Sequence, residues 1–177
     1  MEPEDRFPAD RADFQLRARF RHGMRGIADG ATLLLAVSGG CDSMALLELC
    51  RREAAGRGWK LVVGHVDHGL RPESSEDAEF VCAQATARGL EVQVLRVASA
   101  PQAGQSIEAW ARVARRRALR GLAREIHADL VLLAHTQDDQ AETVLLNLLR
   151  GSGLHGLCAM RPAGKRFRRP LLRVARQ

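Results

Sequence analysis

No tyrosine occurs in the 177 residues, and aromatic residues of all kinds make up only 4% of the chain. A platform that stacks successive single-stranded bases needs more rings than that. The four cysteines, Cys41, Cys50, Cys82 and Cys158, are scattered and form no C-x-x-C pair. That pattern argues against a zinc or iron–sulfur site and reads as buried free thiols. The longest apolar stretches, near residues 31–37 and 130–134, fall far short of the roughly 20 residues a membrane-spanning helix needs. The N-terminus carries Glu2, Glu4 and Asp5 where a leader would be basic and then apolar, so no signal peptide is read there. A soluble, cytoplasmic protein without a membrane partner is expected.

The Walker phosphate motif G-x-x-x-x-G-K-[ST] is missing too, and no lysine lies near residue 40. An apolar run from Leu33 to Val37 passes instead into Ser38-Gly39-Gly40-Cys41-Asp42-Ser43. Asp42 and Ser43 then open an apolar-periodic segment (Met44, Leu46, Leu47, Leu49, Cys50) that reads as a helix. Residues without Cβ atoms let backbone N–H groups close around an anion. The helix start adds unpaired N–H groups and its dipole, and the two serines add hydroxyls. The expected ligand is a phosphate or pyrophosphate group; the plain alternative is an ordinary tight turn.

With 46% hydrophobic and 27% charged residues, the chain has the composition and size of one folded domain. Its net charge of +6 is unevenly spread. Seven basic residues and no acid lie between Arg161 and Arg176 (Arg161, Lys165, Arg166, Arg168, Arg169, Arg173, Arg176), and six arginines between Arg112 and Arg124. Such blocks suit a polyanion such as RNA, or are solvated faces.

Residues 1–30 read as an N-terminal helical segment (Phe14, Leu16, Phe20, Met24, Ile27) closed by Gly30, and 31–177 as the main domain. Strands are predicted at 32–37, 60–66, 91–97 and 130–134, with a possible short one near 170–174. Helices are predicted at 43–56, 74–89, 106–127 and 138–150. Strand and helix alternate, and the strands are continuous apolar runs. This predicts an α/β fold, an open parallel sheet with helices on both faces. In such sheets ligands sit beyond the carboxyl ends of the strands, where Ser38–Ser43, His65–Arg71 and His135–Glu142 fall.

In His65-Val66-Asp67-His68-Gly69, the polar side chains could ligate a metal or shape a nucleotide pocket, or simply make a turn with Gly69 at positive φ. In His135-Thr136-Gln137-Asp138-Asp139-Gln140-Ala141-Glu142, Asp139 and Glu142 share a helical face. They could hold Mg²⁺ or a cationic amine; the plain alternative is a helix cap at Asp138, with the acids favoured by the helix dipole. Arg112 and Arg115 share a face of the fourth helix, and arginine's planar fork suits phosphate. Gly151-x-Gly153-x-x-Gly156 matches a dinucleotide fingerprint only formally, because it follows a helix; Gly151 reads as a helix C-cap.

The S-G-G-x-D-S string resembles the PP-loop of the ATP pyrophosphatase family. Followed by H-V-D-H-G-L-R, E-A-W-A-R-x-x-R, A-H-x-x-D-D-Q-x-E-T, L-L-R-G-S-G-L-H-G-L and R-P-L-L over 33–172, it resembles the tRNA(Ile)-lysidine synthase family. The resemblance implies an adenine nucleotide α-hydrolase-like, Rossmann-like fold. It also implies an ATP-dependent ligation of free L-lysine to C2 of the wobble cytidine in tRNA(Ile) with a CAU anticodon, through an adenylated intermediate. By position, Ala36, Val37, Ser38, Gly39, Gly40, Cys41, Asp42 and Ser43 would bind ATP, with His65, Asp67, Arg112 and His135 in the nucleotide pocket. Asp42, Asp139, Glu142 and Arg112 would be catalytic, and Asp42 and Asp139 would hold Mg²⁺. The chain departs from the family pattern at Thr136, where the family has His, and at Arg115-Arg116, where it has Arg-Tyr. It also reads as short at its C-terminal end, where the family continues. The alternatives are a nucleotide-binding remnant and a thiolase-type PP-loop enzyme, whose C-x-x-C pairs are missing here.

Overall fold

The computed structural model describes residues 7–69, 74–97, 104–153 and 158–176. Arg71, the loop at Pro101 and residues 154–157 lie outside them. Five parallel strands form one sheet in the order β3-β2-β1-β4-β5. They are β1 (Thr32–Ala36), β2 (Lys60–Asp67), β3 (Glu91–Arg96), β4 (Leu130–Leu132) and β5 (Phe167–Arg168). The helices are α1 (Phe7–Gly23), α2 (Cys41–Arg57), α3 (Ser74–Thr86), α4 (Ile107–Glu125) and α5 (Gln137–Leu149).

β1 is the centre of the sheet, with Leu34 opposite Val62 on one side and Val131 on the other. Side chains alternate along a strand, so its apolar run feeds two cores. Leu33 and Leu35 join Val63 and Leu132 beneath α1, α2 and α3, against Phe20, Leu46, Leu47, Cys50 and Val81. Leu34 joins Val62 and Val131 beneath α4, against Leu119, Leu122, Ala123 and Phe167. Both faces are therefore covered, as continuous apolar strands require.

Two element bounds differ from the sequence reading, and one helix is left exposed. The N-terminal helix stops at Gly23, well before Gly30. Phe20, Met24 and Ile27 are buried in the main core while Phe14 is 71% exposed, so this segment packs as part of the domain. The last strand is Phe167–Arg168 rather than Pro170–Val174; Pro170 has no N–H with which to continue a ladder. Finally, α5 buries none of its described residues, and Leu145, Leu148 and Leu149 stand exposed.

The order of strands locates the site. From β1 the chain goes to β2 and β3 on one side, then crosses to β4 and β5 on the other. The loops leaving β1 and β4 therefore diverge, opening a crevice at their carboxyl ends, the usual ligand position in such sheets.

Candidate active site at the switch point

The loop after β1 is built around two glycines with different tasks. Gly39 has φ +91, a conformation that other residues resist, and a Cβ there would meet Val81 and Phe80 of α3. Gly40 is the N-cap of α2 at φ −71, and a Cβ there would meet nothing closer than the Ser38 hydroxyl at 3.8 Å. Ser43, buried, donates its hydroxyl to the Gly40 carbonyl at 2.8 Å and accepts from the Ser38 N–H at 3.2 Å and the Ser38 hydroxyl at 3.3 Å. The Ser43 hydroxyl thus holds the loop's shape. The first N–H groups of α2 are left over, as at any helix start, and present partial positive charge to an anion.

The second half comes from β4 and α5. Asp139 divides its carboxylate. Oδ2 accepts from the Thr136 N–H at 2.7 Å and the Thr136 hydroxyl at 3.1 Å, closing the helix start. Oδ1 faces Asp42. The two meet on one atom: Nη2 of Arg176 lies 2.7 Å from Asp42 Oδ2 and 3.0 Å from Asp139 Oδ1. The Arg176 N–H also donates to Asp138 Oδ2 at 2.7 Å. Carboxylates from two helices thus converge on a single cationic point. That geometry fits a Mg²⁺ ion, which takes one or two carboxylates and fills its shell with phosphate and water oxygens. No larger cluster of metal-ligating side chains occurs among the described residues.

Around this centre the other sequence-nominated residues fall into different roles. His65 is buried, and its Nδ1 lies 2.9 Å from the Val37 carbonyl; since a carbonyl only accepts, Nδ1 carries the proton. His65 therefore ties the end of β2 to the end of β1. Asp67 Oδ1 accepts from the Gly69 N–H at 2.8 Å, and Gly69 has φ +59, the turn reading of that loop. The Gly69 bond is the main cause that lowers the Asp67 pKa. Arg112 pairs with Glu108 at 2.8 Å on the exposed face of α4. Glu142 is exposed and is not among the described contacts of the Asp42–Asp139–Arg176 group.

His135, at the end of β4, is pushed down to about 4 by burial first and by the nearby Arg169 second, with Arg112 and Arg115 adding to it and Asp139 opposing. Its buried Nδ1 has no hydrogen-bond partner among the described residues. The ring is neutral near pH 7 and one nitrogen is available. His68, edge-on to Trp110 at 5.9 Å, is likewise lowered by burial and then by Arg115.

The sequence offers Asp138 only as a helix cap, a place the structure gives to Thr136, and Arg176 only as part of a basic stretch. The one available signal was Pro170-Leu171-Leu172, an apolar anchor within the basic stretch. It is buried, and Val174 beyond it accepts a bond from the Gln137 N–H at 2.8 Å. That stitching carries Arg176 to the start of α5.

A family model described as a PP-loop domain matches residues 13–177. Among curated relatives, a tRNA(Ile)-lysidine synthase from Bradyrhizobium sp. is 48% identical over 155 residues, 84% of this chain and 43% of the relative. One from Gloeobacter violaceus is 43% identical over 170 residues, 93% of this chain and 51% of the relative. One from Thermus thermophilus is 49% identical over 75% of this chain and 26% of its own length. The chain thus spans about half the length, or less, of these relatives. Among solved structures, the U34-tRNA thiolase NcsA from Methanococcus maripaludis, with its [4Fe-4S] cluster, superposes with a TM-score of 0.80 at 16% identity. The match covers 93% of this chain and 59% of that one, and such a likeness speaks for the fold alone.

Proposed function

The chain belongs to the PP-loop domain family, and from that premise we propose that it carries the nucleotide-activating site of a tRNA(Ile)-lysidine synthase. The observation that carries this reading is the meeting of Asp42 and Asp139 on one cation, with Asp42 in the first turn of the helix that follows the glycine loop. A polyphosphate needs both halves, donors for its oxygens and carboxylates for its metal.

In the proposed reaction the C2 oxygen of the wobble cytidine in tRNA(Ile) with a CAU anticodon attacks the α-phosphorus of ATP, and pyrophosphate leaves. The ε-nitrogen of free lysine then attacks C2, and AMP departs with the oxygen. Gly39–Ser43 hold the phosphates through backbone N–H groups. Arg112 and Arg115 lend positive charge from α4, and preorganised charge is worth most where phosphate charge develops. Mg²⁺ held by Asp42 and Asp139 would neutralise and orient the phosphates. His135, neutral, accepts a hydrogen bond at its free nitrogen. Glu142 is assigned to the lysine ammonium, one turn along α5 and open to solvent.

ATP–pyrophosphate exchange measured with and without this tRNA tests the first step, and transfer of labelled lysine to the tRNA tests the second. Exchange that requires the CAU tRNA is the expected outcome. A chain that binds neither ATP nor tRNA refutes the reading. A second reading, nucleotide binding without turnover, is favoured by Arg176 standing in the cation position; ATP binding without exchange would establish it.

A further inference from the structure

We propose that Arg176 is a built-in plug of the candidate active site, a side chain that holds the cation position between Asp42 and Asp139 and has to withdraw before a divalent cation can use both carboxylates. The proposal rests on the reading of that carboxylate pair as a cation site. Three observations carry it.

The first is geometric. Nη2 of Arg176 touches Asp42 and Asp139 together, Nε adds a 2.9 Å bond to Asp42, and the backbone N–H binds Asp138. One residue thus engages all three acids at the mouth of the crevice. The two shared oxygens lie within 3.0 Å of a single nitrogen, leaving no room for a second cation between them.

The second is accessibility. The Arg176 side chain is 51% exposed, whereas Asp42 and Asp139 are each 24% exposed. The acids belong to the framework, and the arginine reaches them from the solvent side. Ion pairs at that exposure are individually weak. The contact is strong enough to bias the site and weak enough to be displaced.

The third is the tether. Pro170, Leu171 and Leu172 are buried, and the Val174 carbonyl accepts from the Gln137 N–H at the start of α5. Everything up to Val174 is held by packing or backbone bonds. Arg176 lies two residues beyond the last backbone–backbone bond, and its own N–H binds only the Asp138 side chain among the described contacts, so the arginine side chain can swing away without breaking any element. In the closed state it also neutralises like charges that would otherwise repel across the crevice.

A competing internal cation raises the apparent dissociation constant of an external one by the reciprocal of the fraction of molecules that are open. The test uses Mn²⁺ as probe, followed by its free-ion electron paramagnetic resonance signal, in the full chain without nucleotide. Arg176→Ala and Arg176→Gln should bind Mn²⁺ about tenfold more tightly than the wild type, the scale expected of two to three weak pairs. Adding Asp139→Asn to either should abolish the gain. Unchanged or weaker Mn²⁺ binding in both single variants, including no binding in any of the three proteins, overturns the plug. Calorimetric titration of Mg-ATP separates the two readings. Tighter Mn²⁺ binding with no ATP binding would leave the plug standing and remove the nucleotide site.

Discussion

At the scale of single residues, neighbouring side chains of one chemical type divide into separate duties. The two loop glycines should respond differently to alanine. Gly39→Ala places a Cβ at φ +91 against α3 and should cost about 1–3 kcal/mol of stability. Gly40→Ala meets only the Ser38 hydroxyl, at an ordinary 3.8 Å contact, and should leave the melting temperature alone while weakening ATP binding, read by calorimetry. If Gly40→Ala binds ATP normally, the crevice side of the loop is not the phosphate seat. His135 makes a pH prediction. Its folded value of about 4 lies below the ordinary 6.5, so the unfolded chain takes up the proton first as pH falls. Stability is therefore lost as pH falls from 6.5 toward 4. Between pH 7 and 5 that amounts to roughly 2 kcal/mol. The window stays above the 4.5-to-2 range in which Glu48, lowered by its bonds from Arg51 and Arg52, would contribute. Denaturant melts of wild type and His135→Gln at the two pH values check it; equal losses would show that the ring is not shielded.

At the scale of elements, the site depends on how the segment after β5 is seated. Gly23, the last residue of α1, lies against Pro170, and a Cβ there would sit 2.7 Å from the proline Cα. Arg168 donates to the Gly23 carbonyl at 3.2 Å and also to the Arg25 carbonyl. The end of α1 is thus the seat of the stretch that delivers Arg176. Gly23→Ala should cost about 1–3 kcal/mol by overpacking and should free Arg176, so that Mn²⁺ binding tightens although no acid has changed. Hydrogen exchange of the Gln137 amide, bonded to Val174, should quicken in parallel. Unaltered exchange would mean that the segment is held by its own leucines and not by α1.

Taken as a whole molecule, the charge is less free than the sequence suggests. Of the seven cations between Arg161 and Arg176, Arg168, Arg169, Arg173 and Arg176 are bonded within the fold. Arg161, Lys165 and Arg166 are exposed. If RNA meets this surface, those three carry the contact. Replacing all three with Ala should flatten the slope of log K against log salt for tRNA by about 2 units, at roughly 0.7–0.9 per phosphate. Filter binding over a salt series decides it; an identical slope places the RNA surface elsewhere, for instance on the arginines of α4.

The sequence by itself determined the alternation of strand and helix, the parallel class of the sheet and the place of the glycine loop between β1 and α2, because these follow from short-range patterns: apolar runs, helical spacing and a glycine pair between them. It left open whether the acids after β4 meet a ligand or Asp138 merely caps the helix; the structure gives the cap to Thr136, with one Asp139 oxygen bonded to Thr136 and the other to Arg176. What only the tertiary structure decided lies across long separations. Asp42 and Arg176 are 134 residues apart and share a 2.9 Å bond. His65 reaches back to Val37, and the basic segment is pinned beneath α1. No local pattern encodes such pairings, because they exist only after the strands have chosen their order in the sheet.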